Sequence, residues 1–420
     1  MRRLIKTCFL SAAIFSFLIL LIFILNHAGL FNHLKLFNHG YRIAVLDEIV
    51  KGYKETGQIL LRKTVDGQYS TNLWGDDPGY YLLLPPLVTL FKIQVESAVK
   101  LVSVIFVMLG YLLSSMGMHL LIKNKALRMK YHFYMIILGT FCLFILDVYI
   151  IAYFITSFIP FCIYFLKKKN IENSKLSIGV LTCAVGVLAG FANIVRIHSG
   201  TGMFLFVVLL FLLIRTAIIV KVLFISILSV SYMFPNLYLK YNISARDYWL
   251  KKHIPNIEVM SNDRHVVWHS LYCGLSFIPN KYGLIWLDSC SFNKATQIDS
   301  SLKFANYQIP EKYETIIKKE YINMVRSDPV FILKTYITKA CYALLFLLLY
   351  FNLEIVVILK IIKADKMYIP FLTTFFFYLV PAILVWPFPM YFLGAINCCL
   401  FFFIFISSNQ ESFYWPLQNN

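Results

Sequence analysis

The chain has 420 residues, of which 59% are hydrophobic, 17% aromatic and only 14% charged. A soluble domain carries about 25% charged residues to cover its surface, so this composition excludes a water-soluble globule, and its aliphatic and aromatic content excludes disorder. Lysine and arginine outnumber aspartate and glutamate 39 to 21, giving +18; no basic run alternates with aromatics on a polar module, so the excess marks loops and phospholipid headgroups rather than nucleic acid.

A helix crosses the hydrocarbon core in about 20 apolar residues. The first such run is Thr7–Leu25, behind Arg2, Arg3 and Lys6. It has no small-residue cleavage site, so it reads as a retained helix with its N-terminus inside. Ser97–Ile122 comes next, and Lys123, Lys125, Arg128 and Lys130 place its far end inside. Residues 26–96 are then one long external loop. Tyr131–Leu166 is apolar over 36 residues except for Asp147. One helix of that length would run about 54 Å, so two helices turning near Asp147 are expected, with Lys167–Lys169 inside. Ser177–Ile194, Gly202–Ile214 and Ile218–Leu237 follow. Residues 238–329 are polar and form a second external segment, and Val330–Tyr350, Tyr368–Trp386 and Tyr391–Ile406 complete the count.

The expected fold is an all-α polytopic membrane protein of about ten spans with two long external segments and both termini cytoplasmic. Residues 1–237 would form an N-terminal membrane module with the loop 26–96, 238–329 a small external domain, and 330–420 a C-terminal membrane module. Residues 81–96 and 351–362 read as helices lying in the interface.

Charges are costly in lipid, so chemistry is sought in the external segments. In the first, Asp47-Glu48 opens a stretch of helical spacing, and Asp76-Asp77 precedes the turn pair Pro78-Gly79 and an apolar helix. Carboxylates are hard oxygen ligands and general bases. Two such pairs suit a divalent cation, magnesium or manganese, or the activation of a hydroxyl. They also suit solvated loop acids, with Asp77 as a helix cap. In the second segment His265 and His269 are four apart on one prospective helix face, with Trp268 between them and none of the acid of a zinc-protease pattern. Arg196 and His198 sit in a short turn between spans. Arginine's forked donors fit phosphate there, and headgroup snorkelling fits equally. Cys273 and Cys290 are the two cysteines of the external segments, and on an oxidising side they would bridge.

The basic N-terminus, one span, Asp47-Glu48, Tyr53, the Gly57 turn and the acidic loop ending in Pro78-Gly79 resemble the GT-C superfamily, multi-span glycosyltransferases that use polyprenyl-phosphate sugars. The resemblance is to its aminoarabinose and mannosyl transferase group. The lysine-proline-proline motif that often follows in the aminoarabinose group is absent, with Leu84-Pro85-Pro86 at most its echo, and the segment from His265 to Gly283 is similar to one recurring in bacterial members. The resemblance implies that Asp47, beside Glu48, is the catalytic base. Asp76 and Asp77 would position the acceptor or hold the metal. Arg196, His198, Arg264 and Lys281 would bind the donor phosphate, and His265, Trp268 and His269 are further site candidates. The implied partners are a polyprenyl-phosphate sugar, membrane lipid, and a glycan, lipid or protein acceptor, at the outer face of the cytoplasmic membrane. Two other classes stay open. A transporter would place charges within spans. A polysaccharide ligase or polymerase would work from residues 238–329.

Overall fold

A computed structural model of the chain describes residues 40–71, 78–145, 147–168, 175–213, 216–254, 267–302, 311–351 and 368–407, with positions 13, 16, 17, 20 and 24 of the first apolar run, which are helical. The described chain is nearly all helix. Among the described residues, five helices are long and apolar enough to cross a membrane: Val95–Leu121, Leu176–Val195, Ile218–His253, Pro329–Leu348 and Pro389–Ser407. Pro78–Phe91, Ile150–Phe165, Thr201–Leu213 and Tyr368–Leu384 are shorter and equally apolar.

The segment expected to form the first external loop builds a compact unit. Helix α1 (Gly40–Thr56) leads into an antiparallel pair, β1 (Arg62–Lys63) with β2 (Tyr69–Ser70), in the register Arg62 opposite Ser70. Helix α2 (Pro78–Phe91) follows and buries Tyr80, Tyr81, Leu84 and Val88. It packs against α1, α3 (Val95–Leu121) and α7 (Lys175–Val195) while exposing Leu90 and Phe91. The 81–96 stretch is thus a packed helix through Phe91; 351–362 lies, beyond its first residue, outside the described residues.

The expected turn at Asp147 is present. Helix α4 (Lys125–Ile145) ends there, and the Asp147 carbonyl accepts the Ile150 N–H at 3.0 Å to begin α5 (Ile150–Thr156). The second half is itself broken, which the sequence did not suggest. Thr156 and Ser157 turn their hydroxyls onto the Ala152 and Tyr153 carbonyls, at 2.7 and 2.8 Å. Pro160, in α6 (Ile159–Lys168), has no N–H to carry the ladder across. The Asn397 amide of α15 (Leu393–Ser407) donates to the Tyr153 carbonyl, Thr156 Oγ1 and Ser157 Oγ, which ties the break to a neighbouring helix.

Helices α7 and α9 (Ile218–His253) pack along their length because glycines let the backbones close. A Cβ on Gly186 would lie 2.7 Å from Ser231 Cβ, and one on Gly190 would strike the Tyr232 carbonyl. Helix α8 (Thr201–Leu213) fills the space between α7 and α14 (Tyr368–Leu384). Helix α9 continues 16 residues past the expected end at Leu237 and closes with Lys251, Lys252 and His253, cations that favour a helix C-terminus. Residues 267–327 have a core of their own. Helices α10 (Val267–Gly274), α11 (Asp288–Ile298) and α12 (Glu311–Ser327) bury Tyr272, Leu275, Leu284, Ala295, Tyr313 and Ile317, and α12 runs into α13 (Pro329–Phe351).

Candidate active site

The burial pattern of α1 decides which of its acids is available. Val45, Leu46, Ile49 and Val50 face inward, so Asp47 turns outward and is exposed, while Glu48 is half-buried. Arg62, buried on β1, donates to Glu48 Oε2 from Nε at 2.8 Å and from Nη2 at 2.5 Å. Two turns on, Glu55 accepts from Lys63 Nζ at 2.6 Å and from the Tyr69 hydroxyl at 2.9 Å. Those bonds hold the Glu55 carboxyl below its ordinary range and raise the Lys63 ammonium.

A second clamp comes from far along the chain. Arg246, on the extension of α9 and 2% exposed, pairs with Asp247 at 2.7 Å and reaches the carbonyls of Leu60 at 3.3 Å and Thr71 at 3.5 Å. Tyr69 meets Trp249 edge-on at 5.6 Å. Asp76 and Asp77, and with them the expected approach of Asp47 to that pair, lie outside the described residues. Pro78-Gly79 follow them directly. A Cβ on Gly79 would lie 2.7 Å from both the backbone nitrogen and Cγ2 of Val195, the residue before Arg196. The first loop is therefore seated on the arginine turn.

That turn gathers polar groups at the ends of four helices. The Arg196 guanidinium stands 4.5 Å over the Tyr149 ring, and the Tyr149 hydroxyl bonds the Tyr391 hydroxyl at 3.2 Å. Asp147, two residues from Tyr149, is 5% exposed. His198 is exposed and takes a left-handed backbone (φ 74°), held by its N–H to Asn193 Oδ1 at 3.0 Å. The Thr201 hydroxyl shares that oxygen, and the Tyr378 hydroxyl donates to the Ser199 carbonyl at 2.6 Å. Arg196 and His198 were legible from sequence. Tyr391 was not, because 242 positions separate it from Tyr149. Asp147 carried a signal, a lone acid in a long apolar run, that the sequence reading spent on the turn.

The second segment assembles differently from expectation. His269 is enclosed. Its Nε2 meets Asp288 Oδ1 at 3.0 Å, and its Nδ1 meets Ser291 Oγ at 2.9 Å and the Tyr313 hydroxyl. Burial opposes its charged form, but the hydrogen bonds to Asp288 and Cys273 outweigh that, and the imidazole is pushed up to about 10. Glu314 accepts the backbone N–H groups of Trp268 and His269 at 3.1 and 3.0 Å and so caps α10. Both nitrogens of His269 are engaged inside a domain core, which leaves no lone pair for a metal. Trp268 packs under Lys318 and against Tyr321. Lys281 pairs with Asp328 at 3.0 Å, and that bond raises its ammonium. Arg264 and His265 lie outside the described residues.

The cysteine expectation is corrected. Cys273 and Cys290 are both free. The Cys273 thiol is buried toward Ser291 Oγ at 3.5 Å, while that of Cys290 turns to the Gly283 carbonyl at 3.9 Å, so the two sulfurs occupy different surroundings. Among the described residues, no group of three or more histidine, cysteine, aspartate or glutamate side chains is arranged to hold a metal ion. No family model, no curated protein and no solved structure matches the chain.

Proposed function

We propose that this chain is an inverting membrane glycosyltransferase of the GT-C type. It would have about ten spans and both termini in the cytoplasm, with its site on the outer face of the cytoplasmic membrane. The observation that carries this reading is the seat of Gly79 on Val195. It joins the loop bearing Asp47 and the Asp76-Asp77 pair to the turn bearing Arg196, as sugar transfer to an acceptor hydroxyl with departure of a lipid phosphate requires.

Asp47, exposed beside a Glu48 that is bound to Arg62, takes the proton of the acceptor hydroxyl as that oxygen attacks the anomeric carbon. The bond from that carbon to the phosphate oxygen breaks, and the lipid phosphate leaves with its electron pair. Arg196 stabilises the departing charge through its forked donors, with His198 beside it. Asp76 and Asp77 position the acceptor, a lipid, glycan or protein, or hold magnesium or manganese against the phosphate.

The ligase reading would draw on the arginines and histidines of residues 238–329, and of these His269 is engaged within a core through Asp288 and Ser291. The transport reading finds Lys339 inside a span, but with its ammonium bonded to the Leu384 and Val385 carbonyls. The deciding experiment supplies purified protein with labelled polyprenyl-phosphate sugars and candidate acceptors, and measures released lipid phosphate. No release with any donor, from protein that is folded, would end the proposal.

A further inference from the structure

The opposite ends of α3 and α4 carry a constellation that the proposed reaction does not use. From Ser97 to Leu146 the sequence has no acidic residue, yet it carries Lys123, Lys125, Arg128 and Lys130 around one turn. Lys123 and Lys125 are exposed and Arg128 is half-buried, and no described carboxylate pairs with any of the three. Arg128 Nη1 lies 3.0 Å from His119 Nδ1. A guanidinium only donates, so His119 Nδ1 is the acceptor and its proton sits on Nε2. That nitrogen is buried and has no partner. His132 lies against it, ring centroids 5.7 Å apart, with its own Nδ1 bonded to the Tyr111 hydroxyl at 3.1 Å. The cluster therefore presents donors and positive charge, and it needs an acceptor that brings negative charge.

Its surroundings identify the source of that acceptor. Met129 and Phe133, four residues apart on α4 and just after Arg128 in sequence, are 64% and 63% exposed. Residues at this spacing form one stripe on a helix, and an exposed apolar stripe next to a charged site suits an acyl chain under a phosphate. We propose that the α3–α4 hairpin binds an anionic phospholipid, its phosphate on the Arg128 guanidinium and its chain along Met129 and Phe133. His119 is a positioning residue that orients the guanidinium, and Lys123 and Lys125 add long-range attraction from the adjoining turn. This site is independent of the glycosyltransferase reading and stands or falls without it.

Native mass spectrometry of the full chain in neutral detergent, titrated with phosphatidylglycerol or phosphatidylcholine, tests the proposal. The wild type should retain phosphatidylglycerol in preference to phosphatidylcholine. R128Q should weaken that retention by about tenfold to a hundredfold, the range of a charge-assisted hydrogen bond. R128K, which keeps the charge but not the fork, should fall between them, and H119Q should also weaken binding. The double variant K123Q/K125Q should lose less than R128Q. Circular dichroism confirms that each variant is folded; if R128Q is not, R128K and H119Q carry the test. Equal retention of the two lipids, unchanged binding in R128Q or H119Q, or a loss in K123Q/K125Q as large as in R128Q would overturn the proposal. So would displacement of phosphatidylglycerol by an equal concentration of inorganic phosphate, which would mark a site for the soluble ion.

Discussion

The Arg246 guanidinium donates to the Leu60 carbonyl at 3.3 Å across 186 positions of chain. With the Thr71 carbonyl it brackets the whole hairpin between those residues, so the extension of α9 is a brace for the loop between α1 and α2. The brace ends one residue before the segment that leads to Asp76 and Asp77. A side chain on the second half of the chain thereby fixes where the acidic loop begins.

Replacing Arg246 with alanine should loosen that hairpin and little else. Asp247 would lose its partner, and two carbonyls would lose a donor. Breaking a fully buried pair costs about 3–5 kcal/mol, and Asp247 keeps some solvent, so about 2–3 kcal/mol is expected here. Hydrogen exchange should accelerate across residues 60–71 while α3 and α7 stay protected. Unchanged protection in the hairpin would contradict the brace.

The two adjacent acids of α1 should separate cleanly by substitution. Asp47→Asn removes the base without changing shape, and turnover should fall by about 10²- to 10⁴-fold. Glu48→Gln weakens the grip of Arg62 and should reduce turnover less, with a lower melting temperature. Both parameters are read on the same preparations, and an Asp47→Asn enzyme as active as wild type would remove Asp47 from the mechanism.

Gly79→Ala tests the seat between the first loop and the arginine turn. The new methyl meets Val195 backbone as well as side chain, so rotamer change cannot relieve it. Overpacking of this kind costs about 1–3 kcal/mol. Thermal stability should drop, and hydrogen exchange should rise at residues 195–200. Full stability with unaltered exchange would show that the contact is not tight.

The small domain built by α10, α11 and α12 should respond to alkaline pH through His269. Its pKa rises on folding from 6.5 to about 10. A raised value means that protonation favours the folded form, so this contribution is complete below pH 6.5 and is lost as pH climbs toward 10. Melting of the domain, followed by the fluorescence of Trp268 and Trp286, should shift to lower temperature over that interval. His269→Gln should flatten the dependence, and an equally steep profile in that variant would assign it to another group.

Single cysteines at Ser70 and Ser300 should both react with an impermeant thiol reagent from outside intact cells. The warrant is the lysine and arginine content of the alternating short loops. Reaction at one position with protection at the other would break the topology.

The sequence announced what depends on short-range pattern. Apolar runs marked the helices, and Asp147 marked a turn that is present. Arg196 and His198 were visible as charged residues at a span boundary. The pairings were hidden because they depend on contacts between distant positions. Nothing near His269 points to Tyr313, 44 residues on, and nothing near Glu48 says that Arg62 will neutralise it while Asp47 stays open. The second break, at Ser157, was masked by continuous hydropathy, since its relief comes from Asn397 on another helix. Cys273 and Cys290 teach the same lesson, because spacing in sequence did not say that both thiols would be free.

Lys339 lies mid-helix in α13, fully buried, and its acceptors, the Leu384 and Val385 carbonyls, are 45 and 46 residues further along the chain. Synthesis runs from N- to C-terminus at about 5–20 residues per second, so the ammonium reaches the membrane several seconds before the end of α14 exists. A lysine at the centre of an inserting helix costs about 2.5–3.5 kcal/mol. For that interval α13 is the least secure of the long apolar helices, and its place in the bilayer is settled only when the ribosome has delivered the helix that receives it. The two helices are a single unit of biogenesis, written into the chain as one buried charge.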